Sequence, residues 1–75
     1  EDEMAAPFAA GDLVWARAWH AGVKQSFMGT VIAVRDTFPR LHIRFDADAS
    51  GNTNKLALPP IGNAYLTASD VWARN

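Results

Sequence analysis

The chain has 75 residues, of which 49% are hydrophobic and 20% are charged, so it forms one small folded domain with no room for a second, catalytic lobe. Seven Lys and Arg against eight Asp and Glu give a formal charge of -1, which disfavours nucleic acid as the main ligand. The chain contains no cysteine, which excludes disulfides and the usual structural zinc sites.

The first seven residues carry acidic charge and alanine without an apolar period. They predict a flexible acidic N-terminal tail over residues 1–7, followed by a single domain over residues 8–75. No apolar stretch approaches the roughly 20 residues that a membrane helix needs, and the start of the chain lacks the basic region of a signal peptide. We therefore expect no membrane partner, and a monomeric domain of a larger protein.

The first strand is predicted over residues 12–19, because the side chains alternate in character there. Val14 and Ala16 fall on one face, and Trp15 and Trp19 fall on the other. Small residues on one face suit a tightly curled barrel. We interpret Trp15 as a packing residue on the outer face of this strand.

Two further strands follow. Residues 20–25 hold a central glycine with polar neighbours and predict a loop. Residues 26–35 are rich in β-branched and aromatic residues and predict a second strand, in which Gly29 marks a bend or a close backbone approach. After a turn over residues 36–40, strict alternation over residues 41–45 predicts a third strand with one buried and one wet face.

The C-terminal third of the chain is less regular. Residues 46–54 hold the residues of a long loop, and residues 55–58 predict a short fourth strand that two prolines end. Residues 65–67 predict a fifth strand, and residues 68–72 predict a single helical or 3₁₀ turn whose tryptophan pins the end of the domain. The sequence therefore predicts an all-β fold, a small barrel of five short strands with a short terminal 3₁₀ turn.

Three stretches carry a family likeness. Each stretch combines an aromatic residue at a strand end with glycine, small apolar or acidic residues at fixed spacing. The first comprises Gly11, Val14, Ala16 and Trp19, the second Phe27, Gly29 and Val31, and the third Phe45, Asp46 and Asp48. In this pattern the chain resembles the Tudor domain, within the Royal group of SH3-like barrels that also contains the PWWP domain. The likeness covers residues 8–49. It implies that the five-stranded barrel is SH3-like and that the domain is a nuclear chromatin reader.

The chain departs from the Tudor pattern at two points. Ala18 occupies the position where many Tudor domains carry their first cage aromatic, and Trp19 follows one residue later. The segment 46–65 is longer than a typical Tudor hairpin. The opening stretch 11–17 is also similar to that of PWWP domains, although the Pro-Trp-Trp-Pro signature is absent.

Reader domains of this kind hold a methylated ammonium group between aromatic faces, with a carboxylate beside them. Each well-placed ring contributes about 0.5–2 kcal/mol of cation–π attraction. The resemblance implies that Trp19, Phe27 and Phe45 are the walls of the cage, and that Asp46 or Asp48 is its anionic complement. The expected partner is a histone tail peptide with a methylated lysine, in preference to a methylated arginine. We expect neither a metal nor a cofactor.

We do not expect catalysis, because Asp12, His20 and Ser26 lack any motif that places them as a triad, and the two histidines lack metal-ligand spacing. Two other binding functions remain open. A PWWP-like module could make weak nucleic-acid or nucleosome contacts through a basic strip, which comprises Arg17, Lys24, Arg35, Arg40, His42 and Arg44. A Tudor-like domain with a degenerate cage could instead dock a protein, independently of methylation, through the segment 46–65.

Overall fold

The computed structural model of the protein describes residues 8–74, so the predicted acidic tail over residues 1–7 lies outside the described residues. The strands are β1 (Leu13–His20), β2 (Val23–Val34), β3 (Leu41–Asp48), β4 (Asn63–Leu66) and β5 (Val71–Ala73), with 3₁₀ turns over Lys55–Ala57 and Ala68–Asp70. The prediction of an all-β fold with five strands is confirmed. No helix in the described part of the chain has the length and apolar character needed to cross a membrane.

All five strands belong to one antiparallel sheet, in the order β4-β3-β2-β1-β5. The first three strands form a meander, and β5 returns to pair with β1 on its far side. The strands β4 and β5 are the two edges of the sheet and are not paired with each other, so the hydrogen-bonded sheet is open over residues 8–74. The five strands are therefore as predicted in number, but the closed SH3-like barrel is not shown.

The connection between β1 and β2 is shorter than predicted. Residues 20–25 were expected to form a loop, but the turn consists of Ala21 and Gly22, with φ values of 55° and 79°. Two consecutive positive φ angles are typical of the tight hairpin turn that matches the twist of antiparallel strands. Because the turn is tight, β2 begins at Val23 and the register pairs His20 with Val23.

The core lies on one face of the sheet and is built from the alternation that the sequence displays. Successive side chains on a strand point to opposite faces, so every second residue of β1 and β3 reaches the core. The buried core cluster comprises Val14, Ala16, Phe27, Val31, Leu41, Ile43, Phe45 and Val71. We call this side of the sheet the inner face and the opposite side the outer face.

The long strand β2 is irregular where it pairs with β3. The register shifts between Met28 and Gly29, and again between Val31 and Ala33. A Cβ atom at Gly29 would lie 2.8 Å from the backbone oxygen of Arg44. Of the two predictions for Gly29, the close backbone approach is observed, and only glycine permits it at this distance.

The predicted loop over residues 46–54 is partly wrong, because β3 continues through Asp48. Ala47 pairs with Met28, and Asp48 pairs with Phe27, so the β2–β3 ladder extends past the predicted strand end. Residues that favour turns in isolation are held in the strand by this pairing, which local sequence does not reveal. The loop begins after Asp48.

The predicted fourth strand over residues 55–58 is wrong, because the chain forms a 3₁₀ turn there. The side chain of Asn54 accepts a hydrogen bond from the backbone N–H of Leu56 and caps this turn. The predicted strand over residues 65–67 is observed as β4, displaced by two residues at its start. The terminal 3₁₀ turn is present, but it ends at Asp70, and the strand β5 follows it.

Candidate functional site

Two of the predicted cage walls are core residues. Phe27 is fully buried and Phe45 is 6% exposed, and their ring centroids lie 5.3 Å apart at a tilt of 59°. Aromatic rings at this distance stabilise a core through tilted packing. Phe27 also has the ring of His20 at 6.1 Å, in an edge-on arrangement. The pair is thus largely enclosed by protein, although Phe45 also lines a surface opening.

The third predicted wall, Trp19, lies on the other side of the sheet. Val14 and Ala16 point into the core, so Trp19, at odd spacing from them, points away from it. Trp19 is 67% exposed and pairs with Lys24 in the β1–β2 ladder. The inner-face residue at the end of β1 is His20. The structure therefore does not bring Trp19 together with Phe27 and Phe45 around one opening.

Asp46, one of the two predicted anionic groups, holds neighbouring strands together on the outer face. Its carboxylate accepts a 2.6 Å hydrogen bond from the hydroxyl of Thr30 and a 2.8 Å bond from the guanidinium of Arg44. The guanidinium of Arg74 lies 4.0 Å away. Since Phe45 points to the inner face, this carboxylate faces away from the ring it was predicted to accompany.

Asp48, the other predicted anionic group, organises the turn that follows β3. One carboxylate oxygen accepts hydrogen bonds from the backbone N–H and the hydroxyl of Ser50 and from the backbone N–H of Asn52. These hydrogen bonds stabilise the ionised form and lower the pKa of Asp48 below its ordinary value. The hydroxyl of Ser50 has the largest effect, and the backbone N–H of Asn52 has the second largest. The carboxylate is thus already occupied by its own turn. The methyl-binding role of the five predicted residues stays a prediction.

A groove lies beside the buried phenylalanine pair, where the segment 53–62 crosses the end of β3. Its cavity volume is about 400 Å³. Its lining is formed by Phe45 and by seven residues of the crossing segment: Thr53, Lys55, Leu58, Pro59, Pro60, Ile61 and Gly62. We refer to this opening as the 53–62 groove.

Local geometry holds the walls of this groove in place. Leu58 packs against the core cluster and anchors the segment from below. Gly62 adopts a positive φ of 81°, and its N–H donates to the carbonyl of Pro59. The carbonyl of Gly62 then accepts a hydrogen bond from the N–H of Phe45, which joins the segment to β3. Consecutive prolines restrict the backbone between these anchors, so the groove is pre-formed.

The groove is apolar with one positive charge. Ile61 on its wall is 74% exposed, and Lys55 is the charged residue among the lining side chains. Lys55 is exposed and makes no side-chain hydrogen bond or ion pair with the residues that the structure describes. A carboxylate is lacking from the lining. This combination suits an apolar side chain next to an acidic group, and it repels a methylated ammonium.

Of the groove residues, the sequence analysis assigned Phe45 alone to a site, as a cage wall, although it also singled out the long segment 46–65 as a possible docking element. The signal lies in the apolar run Leu58 to Ile61, which stands between polar stretches and contains two prolines. Ile61 has no core to enter at that point. An apolar residue beside two prolines in a polar segment is thus the sequence feature that indicates a docking surface here.

Much of the predicted basic strip is engaged in contacts within the domain. The guanidinium carbon of Arg35 lies 4.2 Å from the ring centroid of Tyr65, and the Arg35 side chain donates to the carbonyl of Pro39. Arg44 is paired with Asp46, and Lys24 lies 3.7 Å from a carboxylate oxygen of Asp70. Such contacts reduce the positive potential available to phosphates.

Comparison of the chain with protein-family models, with curated proteins and with solved structures finds no match. The resemblance to Tudor and PWWP domains therefore rests on the sequence pattern. Chromatin reading, histone partners and nuclear localisation stay predictions from that pattern.

Proposed function

We propose that this domain is an SH3-like barrel that binds a short peptide of a protein partner, independently of methylation, in the 53–62 groove. The observation that carries the proposal is an apolar, pre-formed groove at the end of β3, lined by a lysine whose side chain has no hydrogen-bond or ion-pair partner within residues 8–74. It corresponds to the docking alternative that the long segment 46–65 suggested from the sequence.

The order of the strands, together with the length and irregular pairing of β2, supports the barrel in this proposal. In the order β4-β3-β2-β1-β5, the central strand β2 pairs with β1 over residues 23–30 and with β3 over residues 27–34. The 12 residues of β2 contain two register shifts, and such irregularities bend a strand and increase its twist. A long bent strand shared by two halves of a sheet is what a small barrel requires.

The ligand chemistry follows from the groove lining. Leu58, Pro59 and Ile61 offer apolar surface to a side chain of leucine or phenylalanine size, and Phe45 adds an aromatic residue to the lining. Lys55 attracts a carboxylate next to that side chain. We therefore infer that the partner peptide carries one apolar anchor residue with acidic neighbours.

Binding of a methylated lysine is the competing prediction, and it would have to use the same groove. It would require a cage around Phe45, because Phe27 is enclosed in the core and Trp19 lies on the outer face. The positive charge of Lys55 opposes it, and both candidate carboxylates are held in other hydrogen bonds. The positive charge of Lys55 and the absence of a free carboxylate in the lining therefore favour an acidic peptide over a methylated lysine.

The proposal is tested by NMR titration of the isotope-labelled protein with three synthetic peptides. The first carries a central leucine with Asp and Glu neighbours, the second the same leucine with Lys and Arg neighbours, and the third is the second with one trimethylated lysine. We expect the acidic peptide to shift the resonances of Leu58, Ile61 and Gly62. A response to the third peptide and not to the second would establish methyl reading and overturn the proposal.

Variants localise the binding. Ile61→Ser removes an exposed wall, and Lys55→Glu reverses the charge; both should weaken binding of the acidic peptide at least about fivefold, which corresponds to roughly 1 kcal/mol. Ile32→Ser is the matched control, because Ile32 is 41% exposed and lies in β2 outside the groove lining. Equal losses in all three variants, or no response of the wild type to any peptide, would refute the groove as a docking site.

A further inference from the structure

Tryptophan side chains are concentrated on the outer face of the sheet. Trp15 pairs with Trp72 in the β1–β5 ladder and with Met28 in the β1–β2 ladder, so these three side chains lie on the same face as neighbours. Trp72 is 45% exposed, and Trp19, further along β1, is 67% exposed. An antiparallel sheet with one buried face usually presents polar residues on the other. Contiguous exposed apolar surface of this kind marks an interaction site.

A positive charge lies within this apolar stripe. Arg17 occupies the outer face between Trp15 and Trp19, is exposed, and makes no hydrogen bond or ion pair with any residue of the described range 8–74. Lys24 pairs with Trp19 across the ladder, but its ammonium group lies 3.7 Å from a carboxylate oxygen of Asp70, so Arg17 carries the charge that a partner can pair with. We call the surface formed by Trp15, Arg17, Trp19, Met28 and Trp72 the outer tryptophan face. Its charge complements an acidic partner.

The position of β1 within the sheet limits the form of that partner. Residues 14–16 of β1 are paired with β2 on one side and with β5 on the other, so no free strand edge is offered there. A partner lying on this face must satisfy its own backbone hydrogen bonds, which an α-helix does. Helix-on-sheet packing is a common way to cover such a face.

Spacing agrees with a helix. Trp15 and Trp19 are four residues apart on a strand, which corresponds to about 13 Å at about 3.3 Å per residue. Positions i and i+8 of an α-helix are separated by about 12 Å along the axis. Two apolar side chains at i and i+8 would therefore contact the two tryptophans, and a carboxylate at i+4 would lie over Arg17.

From this arrangement we infer that the outer tryptophan face docks an acidic amphipathic helix of a partner protein. Exposed indole rings provide contact area at a low cost in side-chain entropy, and tryptophan and arginine are the residues that dominate binding energy at interfaces. This surface shares no residue with the lining of the 53–62 groove, so the inference does not depend on the proposed function.

The test uses two designed helical peptides and the intact chain. One peptide carries Leu at i and i+8 with Glu at i+4 and on its flanks, and the other has Lys at every Glu position. We expect the acidic helix to shift the indole N–H resonances of Trp15, Trp19 and Trp72. The variant Arg17→Glu should weaken binding of the acidic helix at least tenfold and create binding of the lysine-containing helix.

Matched variants separate the possible occupants. Trp19→Ser should abolish binding, whereas Phe38→Ser, which removes an aromatic residue that is 65% exposed between β2 and β3, should leave it unchanged. Ile61→Ser should also leave it unchanged, so failure here and failure of the groove are distinguishable. No response to either helix, insensitivity to Arg17→Glu, or a concentration-dependent dimer in ultracentrifugation that Trp19→Ser dissociates would overturn the inference.

Discussion

The guanidinium of Arg74 donates a 2.9 Å hydrogen bond to the backbone carbonyl of Gly29, which is 45 positions away in the chain. The same side chain donates through Nε to the carbonyl of Val14, also at 2.9 Å. One arginine therefore links the end of β5 to both β1 and β2. Its side chain is 21% exposed, and its guanidinium lies 4.0 Å from the carboxylate of Asp46.

Substitution of Arg74 should destabilise the sheet without touching the core. We expect Arg74→Met to lower the free energy of unfolding by about 1–3 kcal/mol, because hydrogen bonds from a charged donor are lost and two carbonyl groups lose a partner. Arg74→Lys should recover only part of this loss, since an ammonium group lacks the planar fork that reaches two acceptors. Urea unfolding measures both. A loss below about 0.5 kcal/mol for Arg74→Met would contradict this role.

Gly29 should tolerate no side chain. The substitution Gly29→Ala places a Cβ atom 2.8 Å from the backbone oxygen of Arg44 and 2.8 Å from a methyl group of Ile43. The backbone of β3 must shift to relieve this contact, which should cost about 1–3 kcal/mol of unfolding free energy. Thermal unfolding checks the prediction. Ser26→Ala, at an exposed position of the same strand, is the control and should stay within about 0.5 kcal/mol.

Asp48 should make stability depend on pH in the acid range. The pKa of its carboxyl group is lowered in the folded state, so its contribution is fully present above the unfolded-state pKa, about 3.9 for Asp. The contribution is lost as the pH falls below that value and through the lower folded-state pKa. We therefore expect Asp48→Asn to be less stable than the wild type at neutral pH, with a difference that shrinks in strong acid. A difference that is independent of pH would contradict this assignment.

Truncation of Phe27 and of Trp19, two residues of the predicted cage, should change the free energy of unfolding by very different amounts. Phe27→Ala removes a fully buried ring and should cost about 3–5 kcal/mol, enough to unfold much of so small a domain. Trp19→Ala should change stability by less than about 1 kcal/mol, because that ring is 67% exposed. Circular dichroism during thermal unfolding distinguishes them. Comparable losses would show that Trp19 is a packing residue.

Local pattern predicted the sheet best where alternation is strict. The faces of β1 and β3 follow from spacing alone, and Val14, Ala16, Leu41 and Ile43 are buried as that spacing requires. The same rule applied to β1 predicts that Trp19 lies on the face opposite to Val14 and Ala16, and the ring is 67% exposed there.

Other elements could not be predicted locally, because distant contacts decide them. Val71 begins a strand by pairing with Ala16, and nothing around Val71 indicates that partner. The extension of β3 to Asp48 likewise depends on Phe27 in β2. Prediction of the groove would require the position of residues 53–62 relative to Phe45. The sequence does not determine that position, because a long polar loop separates the two.

The pairing of β5 with β1 has a consequence for how the chain acquires its structure. β1, β2 and β3 follow one another through short turns, so their ladders form with little loop-closure entropy. The contact between Ala16 and Val71 instead joins distant parts of the chain and brings both a core side chain and the Arg74 hydrogen bonds. During synthesis on the ribosome, the N-terminal meander would emerge first with an incomplete core, and the domain would become stable only after residue 74 had left the exit tunnel.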